Sequence, residues 1–142
     1  MGKFYQECEQ ELTLYVRQSA WLNTVPEKKE LSRLEQMRND GVDPPMPECE
    51  AIYLAEYLWQ AGPTEVGGMG PAPLSHEEIA AWQANTGIDL TSWEARMLRA
   101  LSLVYLNESH EAKKPARPQP WMQVLEIDRE LVARKIKGAL RG

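Results

Sequence analysis

The 142-residue chain predicts an all-α fold, a compact bundle of about six helices, on three observations. Apolar residues recur at three-to-four spacing in several segments, no period-two run is long enough for a strand, and helix-start signatures precede the periodic segments. The length suits one core and is too short for two full domains. The expected organisation is a helical domain over 1–112, a proline-rich linker over 113–120 and an amphipathic C-terminal helix over 121–142.

Cys8, Leu12, Tyr15, Val16 and Ser19 place a first helix over about 4–22, with a thin apolar stripe. Thr24-Val25-Pro26 offers an N-cap and an early-turn proline for a second, mostly exposed helix, carried by Leu31, Leu34 and Met37 and closed by Asp40-Gly41. Pro44-Pro45-Met46-Pro47 is a stiff break, and Pro47 suits the first turn of a third helix running from Glu48 to Gln60. That helix carries Ile52, Leu54, Ala55, Tyr57, Leu58 and Trp59, a stripe broad enough to belong in the core. From Gly62 to Leu74 the chain is crowded with glycine and proline and reads as a long loop without helix or strand.

Ser75-His76-Glu77-Glu78 and Thr91-Ser92-Trp93-Glu94 both fit the capping box, in which the hydroxyl accepts from the N3 amide and the N3 glutamate reaches back. The first opens a helix stopped by Gly87. The second opens a longer helix through Met97, Leu98, Leu101, Val104 and Tyr105 to about His110. Three prolines between Lys113 and Pro120 read as an extended linker. Beyond it Trp121, Val124, Leu125, Leu131, Val132, Ile136 and Leu140 form a stripe that needs a surface to cover it: the domain, a twin chain or a partner.

Charge divides the chain. Residues 1–94 sum to −10 and residues 95–142 to +5; between 44 and 94 there are eight acids and no Lys or Arg. Such a surface repels a phosphate backbone, so nucleic acid is not an expected partner. No apolar run is long enough for a membrane span and the N-terminal residues lack a signal peptide's apolar stretch, which predicts a soluble, cytoplasmic protein. Cys8 and Cys49 make neither a disulfide framework nor a zinc knuckle.

Catalytic patterns find little to work with. Glu94 beside Trp93 is the best candidate for a carboxylate hydrolase, yet its place in a capping box already accounts for it. His76 and His110 have no carboxylate or second His one helical turn away, so no metal site is expected. Gly67-Gly68-Met69-Gly70 lacks the Lys and the preceding strand of a phosphate loop. A helix-turn-helix over 75–106 is the main alternative, with Arg96 and Arg99 as its few cations behind an acidic helix. No cofactor is expected.

Several segments taken together suggest a family. Tyr57-Leu58-Trp59-Gln60-Ala61-Gly62-Pro63, Gly67-Gly68-Met69-Gly70-Pro71-Ala72-Pro73-Leu74-Ser75, Ile79-Ala80-Ala81-Trp82, Gly87, Trp93-Glu94 and Leu101-Ser102-Leu103-Val104-Tyr105-Leu106 resemble the small tail assembly chaperones of long-tailed bacteriophages. The resemblance covers residues 51–110, and the Gly-Met-Gly-Pro-x-Pro segment is its most specific part. It implies a non-enzymatic protein of the host cytoplasm that binds the tape-measure protein, the tail-tube protein or both during tail morphogenesis, with self-association as a further expectation. The expected contact residues are Gly67, Gly68, Met69, Gly70, Pro71 and Leu74 in the loop and Trp121, Leu125, Val132 and Ile136 in the last helix.

Overall fold

A computed structural model describes residues 2–121, 130 and 133–138. The fold is all-α, with one small exception. Helices α1 (Gly2–Asn23), α2 (Arg33–Asn39), α3 (Ile52–Ala61), α4 (His76–Thr86) and α5 (Ser92–Glu111) are joined by a hairpin of β1 (Thr64–Gly67) and β2 (Gly70–Pro73) between α3 and α4. Residues 133–138 are also helical.

The long helices α1 and α5 form the spine, and α3 packs against both. Cys8, Leu12 and Val16 of α1, at four-residue spacing, meet Leu54, Ala55 and Leu58 of α3 and Met97, Leu98 and Leu101 of α5 in the main core. Leu74 and Ile79 close it from the hairpin side. A smaller cluster of Trp21, Leu22 and Ala112, flanked by Leu34, Met37 and Met46, binds the C-terminal end of α1 to α2. Helix α1 stops where Asn23 and Thr24 turn their side chains back to the carbonyls of Ser19 and Ala20, local side-chain bonds that compete with the backbone ladder.

Two helix starts differ from the sequence expectation. The second helix begins at Arg33, because Lys28 adopts a left-handed backbone (φ 64°) and Ser32 with Glu35 supplies a complete capping box further on. The third begins at Ile52, not Glu48. The Glu50 N–H donates to the Glu11 carboxylate of α1, so the chain before Ile52 is tied to a neighbour, and Pro47 is buried ahead of the helix. In the capping pair predicted further along, Thr91 and Glu94 form the full box. Ser75 accepts from the Glu78 N–H, but its own N–H donates to Glu65 of β1, so the hairpin takes the place expected for Glu78.

The expected loop at 62–74 is the hairpin, which corrects the reading of that stretch as strandless. Its register pairs Thr64 with Pro73, Glu65 with Ala72, Val66 with Pro71 and Gly67 with Gly70. Prolines cannot donate to a ladder, so they suit the positions of β2 whose N–H would face outward. Gly70 has φ 116°, a conformation open to glycine alone. At Gly67 a Cβ would lie 2.8 Å from the Gly70 carbonyl oxygen and 3.0 Å from the Ala72 Cβ, so the tight turn requires glycine there too.

The 113–120 stretch, read from sequence as an extended linker, lies against α1. Gln18, fully buried, donates to the Pro45 carbonyl (3.1 Å) and to Gln119 Oε1 (2.8 Å), and its own Oε1 accepts from the Trp121 N–H. The Trp21 indole donates to the Arg117 carbonyl at 2.8 Å. Glu108 of α5, only 3% exposed, accepts from both Arg17 and Arg117.

Candidate partner-binding surface

The hairpin is held at its base and open at its tip. Ser102 of α5 is completely buried; its hydroxyl accepts from the Leu74 N–H (2.8 Å) and donates to the Pro63 carbonyl (2.6 Å), joining the entry and exit of the hairpin to the central helix. Glu65 bonds the start of α4. With both ends fixed, the two-residue turn Gly68-Met69 projects away from the body. Val66 is 94% exposed and Met69 wholly so. Single exposed apolar side chains are ordinary on protein surfaces; here two stand on one ordered hairpin, which makes its tip a candidate contact point.

Of the expected contact residues, the structure brings Gly67, Gly68, Met69, Gly70 and Pro71 together at this tip. Leu74 is different. At 1% exposure it is part of the core and anchors the hairpin from inside. Trp121 is half-buried, with its backbone on Gln18. Ile136 is 55% exposed on the helical stretch 133–138. Leu125 and Val132 lie outside the described residues. Val66 was missed by sequence reasoning, because only the strand pairing turns it outward.

Glu94 has the chemistry of a cap. Its carboxylate accepts from the Thr91 N–H (2.8 Å) and from the Tyr53 hydroxyl (2.7 Å). Burial works to raise its pKa, but the Thr91 N–H, the Tyr53 hydroxyl and the Thr91 hydroxyl outweigh burial and hold it below the ordinary carboxylate value. A general acid at neutral pH needs the opposite shift. Burial, followed by the field of Glu11, pushes the Cys49 thiol up to about 11, and burial also raises Cys8. Thiols shifted this way are protonated and weakly nucleophilic at neutral pH.

Among the described residues no three His, Cys, Asp or Glu side chains come together as a metal site. No described helix is long and apolar enough to cross a membrane. In the segment weighed as a helix-turn-helix, Gly87 caps α4 in the left-handed region. Helix α5 is committed to the core through Met97, Leu98 and Leu101. Its outer face presents Arg96 and Arg99 beside His76 and Pro73, a small cationic footprint for a duplex backbone. Comparison with protein-family models, with curated proteins and with solved structures finds no match.

Proposed function

We propose that this chain is a non-enzymatic tail assembly chaperone of the long-tailed bacteriophage type, acting in the host cytoplasm on the tape-measure protein, the tail-tube protein or both. The observation that supports it is the hairpin tip. The Gly-Met-Gly-Pro-x-Pro segment that carries the resemblance coincides with the part of the molecule where Val66 and Met69 stand free on a support fixed by Ser102 and Glu65. A rigid support limits the ordering cost of binding. The flexible, polarisable Met69 adapts to an irregular apolar partner surface. The exposed Ile136 on the basic stretch 133–138 offers a second contact of the same chemistry.

The reading is tested by co-expressing the tagged chain with tape-measure and tail-tube proteins of a tail module and recovering complexes at low and high salt. The expected result is retention of one of those proteins in both conditions, because an apolar contact resists salt. Recovery of nucleic acid alone, or of neither tail protein, would overturn it, and the Arg96 and Arg99 face would become the place to test.

A further inference from the structure

A second surface, built from the first turns of α1 and α5 and the chain entering α3, combines aromatic walls with carboxylates that make no ion pair among the described residues. Phe4, Tyr5 and Cys8 of α1, Glu50 just before α3, Tyr53 in its first turn, and Trp93 with Glu94 at the start of α5 line a groove of about 340 Å³. Its walls are stacked: Phe4 meets Tyr5 edge-on at 5.7 Å, and Tyr5 packs on Trp93 at 4.9 Å. The Trp93 indole N–H is fixed by Glu9 (3.1 Å) and the Tyr53 hydroxyl by Glu94, so the aromatic faces are oriented by carboxylates. Phe4 is nonetheless 60% exposed and Tyr53 40%. Among the described residues none of Glu7, Glu9, Glu50 or Glu94 is in an ion pair; the pairs present involve Glu108 and Glu111.

Aromatic faces next to carboxylates attract a cation carried on an apolar stem, since ring quadrupole and carboxylate act in the same direction. The chain itself contains a segment of that chemistry. Residues 133–138 are helical and exposed, and place Arg134, Lys135 and Lys137 around the apolar Ile136. We infer that the Phe4–Tyr53–Trp93 groove receives the basic helix around Ile136 of a second copy of this chain. Each copy carries both groove and helix, so reciprocal exchange closes as a two-fold dimer with two identical contacts. The charge division of the chain, acidic before residue 95 and basic after it, gives that exchange its direction and favours rapid, salt-sensitive association. Such a dimer competes with a client for the Ile136 stretch, and leaves the hairpin tip free for one.

The test is sedimentation of the full chain over a concentration series, with two charge-reversed variants. Glu50→Arg reverses an exposed groove residue; Arg134→Glu with Lys135→Glu and Lys137→Glu reverses the helix. Wild type is expected to dimerise with concentration, and added salt weakens the dimer. Each variant alone loses self-association by about tenfold or more, while an equimolar mixture recovers it as a heterodimer, because every groove then faces a tail of opposite sign. Phe4→Ser, which removes an aromatic wall without changing charge, weakens the wild-type dimer as well. All substituted positions are exposed, and circular dichroism verifies that the variants remain folded. A wild type that is monomeric throughout, or a dimer indifferent to both reversals, would overturn the inference.

Discussion

The hairpin at 62–74 and the strap at 112–121 look alike in sequence, each dense in residues that break regular structure, and they come to opposite ends. Both are tied to the bundle by a buried polar side chain on a long helix. Ser102 of α5 holds the hairpin through Leu74 and Pro63, and Gln18 of α1 holds the strap through Gln119 and Trp121. The strap is bound along its length, with Arg117 on Glu108 and Trp21 and Pro120 buried. The hairpin is bound only at its base and leaves Val66 and Met69 in water. Composition therefore says little about whether a segment is packed. The backbone groups it must satisfy, and where their partners stand, decide that.

The largest effect belongs to the strap. Gln18→Leu nearly keeps the volume but removes three hydrogen bonds of a fully buried side chain and leaves the Pro45 carbonyl, the Gln119 amide oxygen and the Trp121 N–H without that partner. We expect a loss of about 3 kcal/mol and a fall in Tm of about 10 °C, read by calorimetry. A change within experimental error would mean that the Gln18 bonds do not hold the strap to the body. It follows that deleting residues 115–142 damages the body along with the tail, and a cut after Trp121 is the version that isolates the tail.

At the hairpin base, Ser102→Ala strands one donor and one acceptor, with an expected cost of about 1–2 kcal/mol. Hydrogen exchange should show faster opening at the hairpin amides than in α1. Uniform acceleration across both would erase the distinction between the two tethers.

Smaller still is the effect at Glu94. Because its folded-state pKa lies below the ordinary value, its contribution to stability is present above the unfolded pKa and is lost as pH falls through the folded one. Glu94→Gln keeps an acceptor for the box but removes the charge at the N-terminus of α5, so it should cost about 0.3–1 kcal/mol at neutral pH and flatten the acid limb of the stability curve. An unchanged acid limb would show that another carboxylate sets it. The least effect on stability is expected at the tip, where Val66→Asp and Met69→Asp should each stay within about 0.5 kcal/mol of wild type.

Much of the bundle was legible because helices write themselves locally. The Thr91/Glu94 capping box, the Gly87 stop and the Met97, Leu98, Leu101 face are each written within five residues of sequence or fewer. The Ser32/Glu35 box was equally local, yet Thr24 and Pro26 offered a competing start that the left-handed Lys28 breaks. The hairpin was hidden because its strands are four residues long and two positions of β2 are proline, which normally argues against a strand. The strap was hidden because Gln18 and Gln119 are 101 positions apart, and no periodicity reports such a pair. Of the proposed contact surface, the glycines and Met69 were visible from the turn composition. The inward place of Leu74 and the outward place of Val66 depend on strand register and on Ser102.

The central claim is that the exposed hairpin tip is the contact surface, separable from the stability of the body. Its most direct test is a binding titration of the tape-measure and tail-tube proteins against wild type and the Val66→Asp/Met69→Asp double variant, with Tm measured on the same samples. Affinity is expected to fall by about tenfold or more while Tm stays within a few degrees. Equal affinity of the two proteins for wild type and variant, at equal Tm, would contradict it.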